Sequence, residues 1–168
     1  MPIVSIPGKT PRIHETAFIA DSACVIGDVS VGPQSGIWFG TVLRGDVHFI
    51  RVGARTNIQD LCVVHVTKDD YPAILEDDVT VGHQVTLHGC HVKSRALVGM
   101  GATLLDGVVV ESGSVIAAGA LVAPGTHVPP GVLMMGAPAK PKRNLTEEER
   151  NWIMESAKYY VEYQGMYR

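Results

Sequence analysis

The chain has 168 residues, a formal charge of -3 and no run of basic residues, a balance that argues against a nucleic-acid or anionic-membrane surface as its main partner. Hydrophobic residues make up 46% and aromatics only 6%, with 18 glycines and 10 prolines, so small and β-branched side chains must fill a single core rich in turns. No apolar run approaches a membrane span, Met1 to His14 lacks the charged start and apolar centre of a signal peptide, and Cys24, Cys62 and Cys90 show no C-x-x-C spacing. These features predict a cytoplasmic chain with reduced thiols, Cys62 among them as a small core residue.

Taken in order, the sequence repeats every six residues. Aliphatic residues stand at Ile13, Ile19, Val25, Val31, Ile37 and Leu43, and four residues after each comes a small or β-branched one: Ala17, Ala23, Val29, Ser35, Thr41 and Val47. The frame slips by three near Phe49 and resumes at Val52, Ile58 and Val64. A longer insertion follows, then Leu75, Val81 and Leu87. One residue is then dropped, and from Val92 the period runs unbroken through Val98, Leu104, Val110, Ile116, Val122 and Val128. A six-residue unit is too short for a helical repeat and matches one side of a triangular parallel β-helix, three units to the coil. The pattern resembles the hexapeptide-repeat superfamily over roughly residues 13–138. The left hand of its β-helix comes from that resemblance, since parallel crossovers are otherwise right-handed.

After Gly136-Ala137-Pro138 the pattern changes. Thr146 before Glu147, Glu148 and Glu149 predicts a helix N-cap, a capping box and acidic residues at the positive end of the helix dipole, with the helix running from about Glu147 to Tyr163. Trp152, Ser156, Tyr159 or Tyr160, and Tyr163 are expected to form a stripe against the β-helix or a subunit boundary. The expected organisation is thus a β-helix over residues 1–140 and a C-terminal helix and tail over 141–168.

Coils read as 13-19-25, 31-37-43, 52-58-64, 75-81-87, 92-98-104 and 110-116-122 place Arg44, His65 and His88 in one outward column, each just after the aliphatic residue of the third side. Successive coils lie about 4.8 Å apart, so His65 and His88 can share an ion. His83 falls on the second side, in register with Asp60 one coil earlier. Five extended residues span about 16 Å, which keeps His83 and His88 of one chain from a common metal. If all three bind, the third ligand comes from a neighbouring chain, and a closed three-fold arrangement supplies it at every interface. A single surface histidine is more often just that; the two registered columns favour a site. His14, His48, His91 and His127 share no column with the three and are read as surface residues, and Cys90 as a corner residue.

At Arg44-Gly45-Asp46, Asn57-Ile58-Gln59-Asp60, His65, Gly82-His83 and His88-Gly89-Cys90 the chain resembles the gamma-class carbonic anhydrases, trimeric left-handed β-helices with metal sites between subunits. The resemblance implies His65, His83 and His88 as metal ligands, Gln59 near the metal-bound water, an Arg44–Asp60 ion pair across the interface, and Asp46 as a further structural or interface carboxylate. Tyr160 matches loosely a residue that approaches the site, although core packing also accounts for it. Three neutral imidazoles suit Zn2+, and also iron or cobalt. They leave zinc enough charge to bring its water to a pKa of about 7, so that hydroxide attack on carbon dioxide gives bicarbonate.

The chain departs from the family pattern at the proton-transfer glutamates: Val47 follows Asp46, and the loop from Val66 to Ile74 offers only Asp69 and Asp70. Two rival functions share this fold. A hexapeptide acyl- or acetyltransferase needs one histidine base and a groove for coenzyme A, not three histidines in two columns. A metal-binding trimer without catalysis needs the ligands alone.

Overall fold

The computed structural model describes residues 2–167 and obeys the six-residue rule coil by coil. On the first face Ile13, Val31, Val52, Leu75, Val92, Val110 and Val128 pair in one parallel ladder. Ile19, Ile37, Ile58, Val81, Val98, Ile116 and Met134 do so on the second. Val25, Leu43, Val64, Leu87, Leu104 and Val122 make the third. Every expected coil assignment therefore holds. Strands of only two or three residues suffice, because each is paired on both sides and points one aliphatic side chain inward.

The corners are filled by smaller residues. Ala23, Thr41, Cys62, Val85, Ala102 and Ala120 are buried in one corner, and buried hydroxyls settle their polarity on the adjacent coil. Ser35 donates to Gly53 O, Thr41 to Gln59 O and Thr56 to Glu76 O, each at 2.6 Å. A buried hydroxyl left unpaired would be costly, so these bonds let polar residues stand in an apolar ladder.

Val47 is exposed, and Ile50 is the buried residue opposite Val29, where the frame slips near Phe49. Strand Val42–Val52 runs in register with Cys24–Val31 up to Gly45 opposite Gly27, then resumes three residues late. The surplus bulges outward and carries Asp46 with it, as bulges re-aim side chains.

The last coil closes through an antiparallel pair, Val132–Gly136 with Ala139–Asn144, which continues across position 140 toward the helix. The helix spans Glu147–Tyr163 as expected, and Thr146 and Glu149 exchange both capping-box hydrogen bonds. Its inner face differs from the expected stripe. Ile153, Ser156 and Ala157 are buried, with Tyr160 packed partly against the core, whereas Trp152, Tyr159 and Tyr163 are exposed. Small residues let the helix lie close to the sheet, and the bulkier rings of Trp152, Tyr159 and Tyr163 form a row along its flank with successive centroids 6.2 Å apart.

Ile116, wholly buried and remote from the histidines, is expected on truncation to alanine to cost about 2–5 kcal/mol in urea unfolding. Thr146→Ala, which removes a cap and no core volume, is expected to cost about 1 kcal/mol in the same measurement.

Candidate metal centre

The ladders bring His65 and His88 together. The two residues are direct partners on neighbouring strands, and His65 Nδ1 lies 3.1 Å from His88 Nε2. The outer nitrogens each meet a carboxylate: His65 Nε2 is 3.0 Å from Asp46 Oδ1, and His88 Nδ1 is 2.7 Å from Asp106 Oδ1. Arg44, which precedes the bulge, donates to the other oxygen of Asp46. His83 stands apart on the second side, with Nδ1 2.7 Å from Asp60 Oδ2. The chain thus holds three histidine–aspartate pairs, two abutting and one separate.

The chemistry of this donor set fits a metal ion. Satisfying the row Asp106–His88–His65–Asp46 takes three ring protons, whereas two neutral imidazoles carry two. The gap between the facing ring nitrogens is therefore a place for a cation. A carboxylate behind the ring's other nitrogen fixes its tautomer and raises its basicity, the arrangement metal-binding histidines ordinarily have. Among the described residues no single chain gathers three such ligands around one point, in keeping with the separation of His83.

Asp106 was not among the expected residues. It lies two positions past Leu104, and the aliphatic count aligns Leu105 with His88. The residue dropped between Leu87 and Val92 brings Asp106 alongside, where Gly107 N donates to Gly89 O at 2.8 Å. Gly89 has a φ of 55°, and a Cβ there would sit 2.3 Å from Asp106 Oδ1, so glycine is required for this approach. A spacing of eighteen residues between His88 and Asp106 was the available signal.

The remaining expected residues collect around His83. Gln59 is buried, its Nε2 donating to Asn57 Oδ1 at 3.2 Å while Asn57 donates to Thr80 Oγ1 at 3.0 Å. Ser156 of the helix reaches the same Thr80 hydroxyl at 3.3 Å. Asp60 and Tyr160 both line a cavity of about 240 Å³ with Trp38 and Phe39, and Tyr160 packs edge-on to Trp38 at 5.3 Å. Burial, aided by the charge of Asp60, raises the Tyr160 phenol above its ordinary value. One half of the site is therefore Arg44, Asp46, His65, His88 and Asp106; the other is Gln59, Asp60 and His83, bordered by Tyr160.

Cys62 and Cys90 are core residues. Burial pushes their thiols up to about 11 and about 12, so both stay protonated at neutral pH in the metal-free chain. The other histidines serve the surface, His91 with Glu76 at 2.8 Å and His127 with Glu111 at 2.7 Å.

No family model matches the chain. It is 51% identical over 160 residues to a carbonic anhydrase of Geobacillus kaustophilus, covering 95% of this chain and 87% of that protein. It is 50% identical over 164 residues to the mitochondrial gamma carbonic anhydrase 2 of Arabidopsis thaliana, covering 95% of this chain but 59% of the plant protein's length. The structure matches a hexapeptide transferase family protein from Anaplasma phagocytophilum with a TM-score of 0.96 and 44% identity, over 99% of this chain and 98% of that one. Fold and comparisons together define the class as a hexapeptide-repeat, left-handed parallel β-helix protein. Within that class the chain belongs to the gamma carbonic anhydrase family.

Burial works against ionisation of Asp46, but the hydrogen bonds from His65 and Arg44 outweigh it and hold the carboxyl below its usual range. Stability from a carboxyl that is more acidic in the folded state is fully present above about pH 4 and is lost as pH falls through the lowered folded value. Metal-free Asp46→Asn is thus expected to unfold at lower urea than the parent at pH 7 and pH 5, with the gap between the midpoints shrinking as pH falls below about 4 and through the lowered folded value. A constant gap across that range would contradict the role given to Asp46.

Proposed function

We propose that the chain is a metal-dependent carbonic anhydrase that interconverts carbon dioxide and bicarbonate as a homotrimer, with His65 and His88 of one chain and the partner subunit's His83 around each metal. The observation that carries this reading is the set of three histidines, each backed by its own carboxylate, divided into a facing pair and a lone member. Exposed Leu61, Val63, Met100 and Leu121 favour a partner chain covering the histidine-bearing faces. Zn2+ suits three imidazoles best, with iron or cobalt as alternatives chosen by availability. Free thiols at Cys24, Cys62 and Cys90 support a cytoplasmic setting.

When bound, the metal supplies Lewis acidity that yields hydroxide from water at neutral pH. The chain's own residues then orient and retain. Asp46, Asp60 and Asp106 hold the rings by their second nitrogens. Gln59, fixed through Asn57 and Thr80 to the helix, presents an amide on the His83 side to orient water or bicarbonate. Arg44 holds Asp46 and is available to the partner subunit's Asp60 at the interface. Acyl transfer, the rival reading to which the word transferase in the Anaplasma protein's name points only in general, is less favoured because it gives no task to three histidine–aspartate pairs. Coenzyme A binding without bound metal would reverse that preference, and bound metal without carbon dioxide hydration would support the scaffold reading.

Metal analysis with stopped-flow hydration is expected to show one metal per chain and activity in the parent, and neither in His83→Ala or His88→Ala. Refolding those two inactive variants together should restore about a quarter of parental activity, since a random mixture leaves about one interface in four with all ligands. No recovery in a confirmed mixed trimer, or a metal-loaded monomer, would overturn the shared site.

With only Asp69 and Asp70 in the adjacent loop, proton removal is expected to depend on solvent buffer. Raising the imidazole concentration should increase kcat to a plateau and leave kcat/KM unchanged.

A further inference from the structure

The loop between Val66 and Ile74 is the longest departure from the repeat, and its root touches the histidine row. Thr67 and Tyr71 bond to each other across its neck, Thr67 N to Tyr71 O at 3.0 Å and Tyr71 N to Thr67 O at 3.3 Å. Tyr71 lies over two glycines: a Cβ at Gly89 would fall 2.6 Å from Tyr71 Cβ, and one at Gly107 would fall 3.1 Å from its ring. Thr67 Oγ1 donates to Asp106 Oδ2 at 3.0 Å, while Asp106 Oδ1 takes the bond from His88 Nδ1 at 2.7 Å. Both oxygens of one carboxylate are therefore committed, one to the loop and one to a candidate ligand.

We infer that Asp106 is the positioning residue of His88 and that Thr67 ties the loop to it, so that loop seating and metal binding at His88 are linked. The inference rests on the metal-centre reading above. A carboxylate anchored at both oxygens cannot swing, and the His88 ring it holds keeps Nδ1 protonated and presents Nε2 to the metal. Freeing the loop removes one anchor. By linkage, a metal that prefers the positioned ring must in turn favour the seated loop. Sequence spacing gave no sign of this, because Thr67 and Asp106 are 39 residues apart and neither stands on an aliphatic ladder.

The test combines zinc affinity, by competition with a chromophoric chelator, with hydrogen exchange of the Thr67–Tyr71 amides. Asp106→Ala is expected to weaken zinc binding about 10- to 100-fold. Asp106→Asn, which keeps an oxygen able to accept from His88, should recover part of that loss. Thr67→Val should weaken binding by a smaller factor, alter the visible spectrum of the cobalt form, and speed loop exchange in the metal-free protein. Zinc should slow loop exchange in the parent and much less in Thr67→Val. A parent that binds zinc while Asp106→Ala binds it equally well would overturn the Asp106 assignment alone. Loop exchange in Thr67→Val matching the parent with and without zinc would overturn the tie. A parent that binds no metal would overturn the metal-centre reading itself, and the linkage with it.

Discussion

One constraint organises this molecule: every sixth residue must face inward on a coil whose turns stack strand on strand. Once Val64 and Leu87 are held as buried partners, the next residue on each strand has no freedom in where it stands, and His65 must lie beside His88. The energetic demand is apolar burial, but its by-product is positional. Outward residues inherit the register of the inward ones, so two histidines 23 residues apart become neighbours with nitrogens 3.1 Å apart.

The candidate site lies where the period breaks. The aliphatic spacing is six almost everywhere, yet it is nine from Leu43 to Val52, eleven from Val64 to Leu75 and five from Leu87 to Val92. All three irregularities occupy the same corner, on three consecutive coils, directly after Arg44, His65 and His88. The first pushes out Asp46, the second makes the Thr67–Tyr71 loop, and the third draws Asp106 up to His88. A strict solenoid would offer only flat ladders at this edge; irregular backbone gives the concave, polar surroundings that a site needs.

This explains what was legible in the sequence. Coil register and the His65–His88 pairing followed from aliphatic spacing, because buried columns tolerate little variation in residue type. The helix limits followed from Thr146 and Glu149, whose capping chemistry is local. Asp106 was missed because the aliphatic ladder aligns Leu105 with His88, and only the shortened corner that follows brings Asp106 alongside. On the helix, Ser156 and Tyr160 of the expected stripe do pack on the β-helix, while Ile153 and Ala157, which the aromatic pattern did not single out, complete the buried face.

The division of the site into halves has an electrostatic consequence. The half around His65 and His88 carries two carboxylates and one guanidinium, Asp46, Asp106 and Arg44; the half around His83 carries the carboxylate of Asp60. With neutral imidazoles each half is formally negative by one charge. In the proposed trimer the two meet in a partly desolvated interface, where like charges repel more strongly than in water. In that trimer a dication held by the three rings would offset the combined charge. In the proposed trimer, metal binding and subunit association would then be two aspects of one interaction.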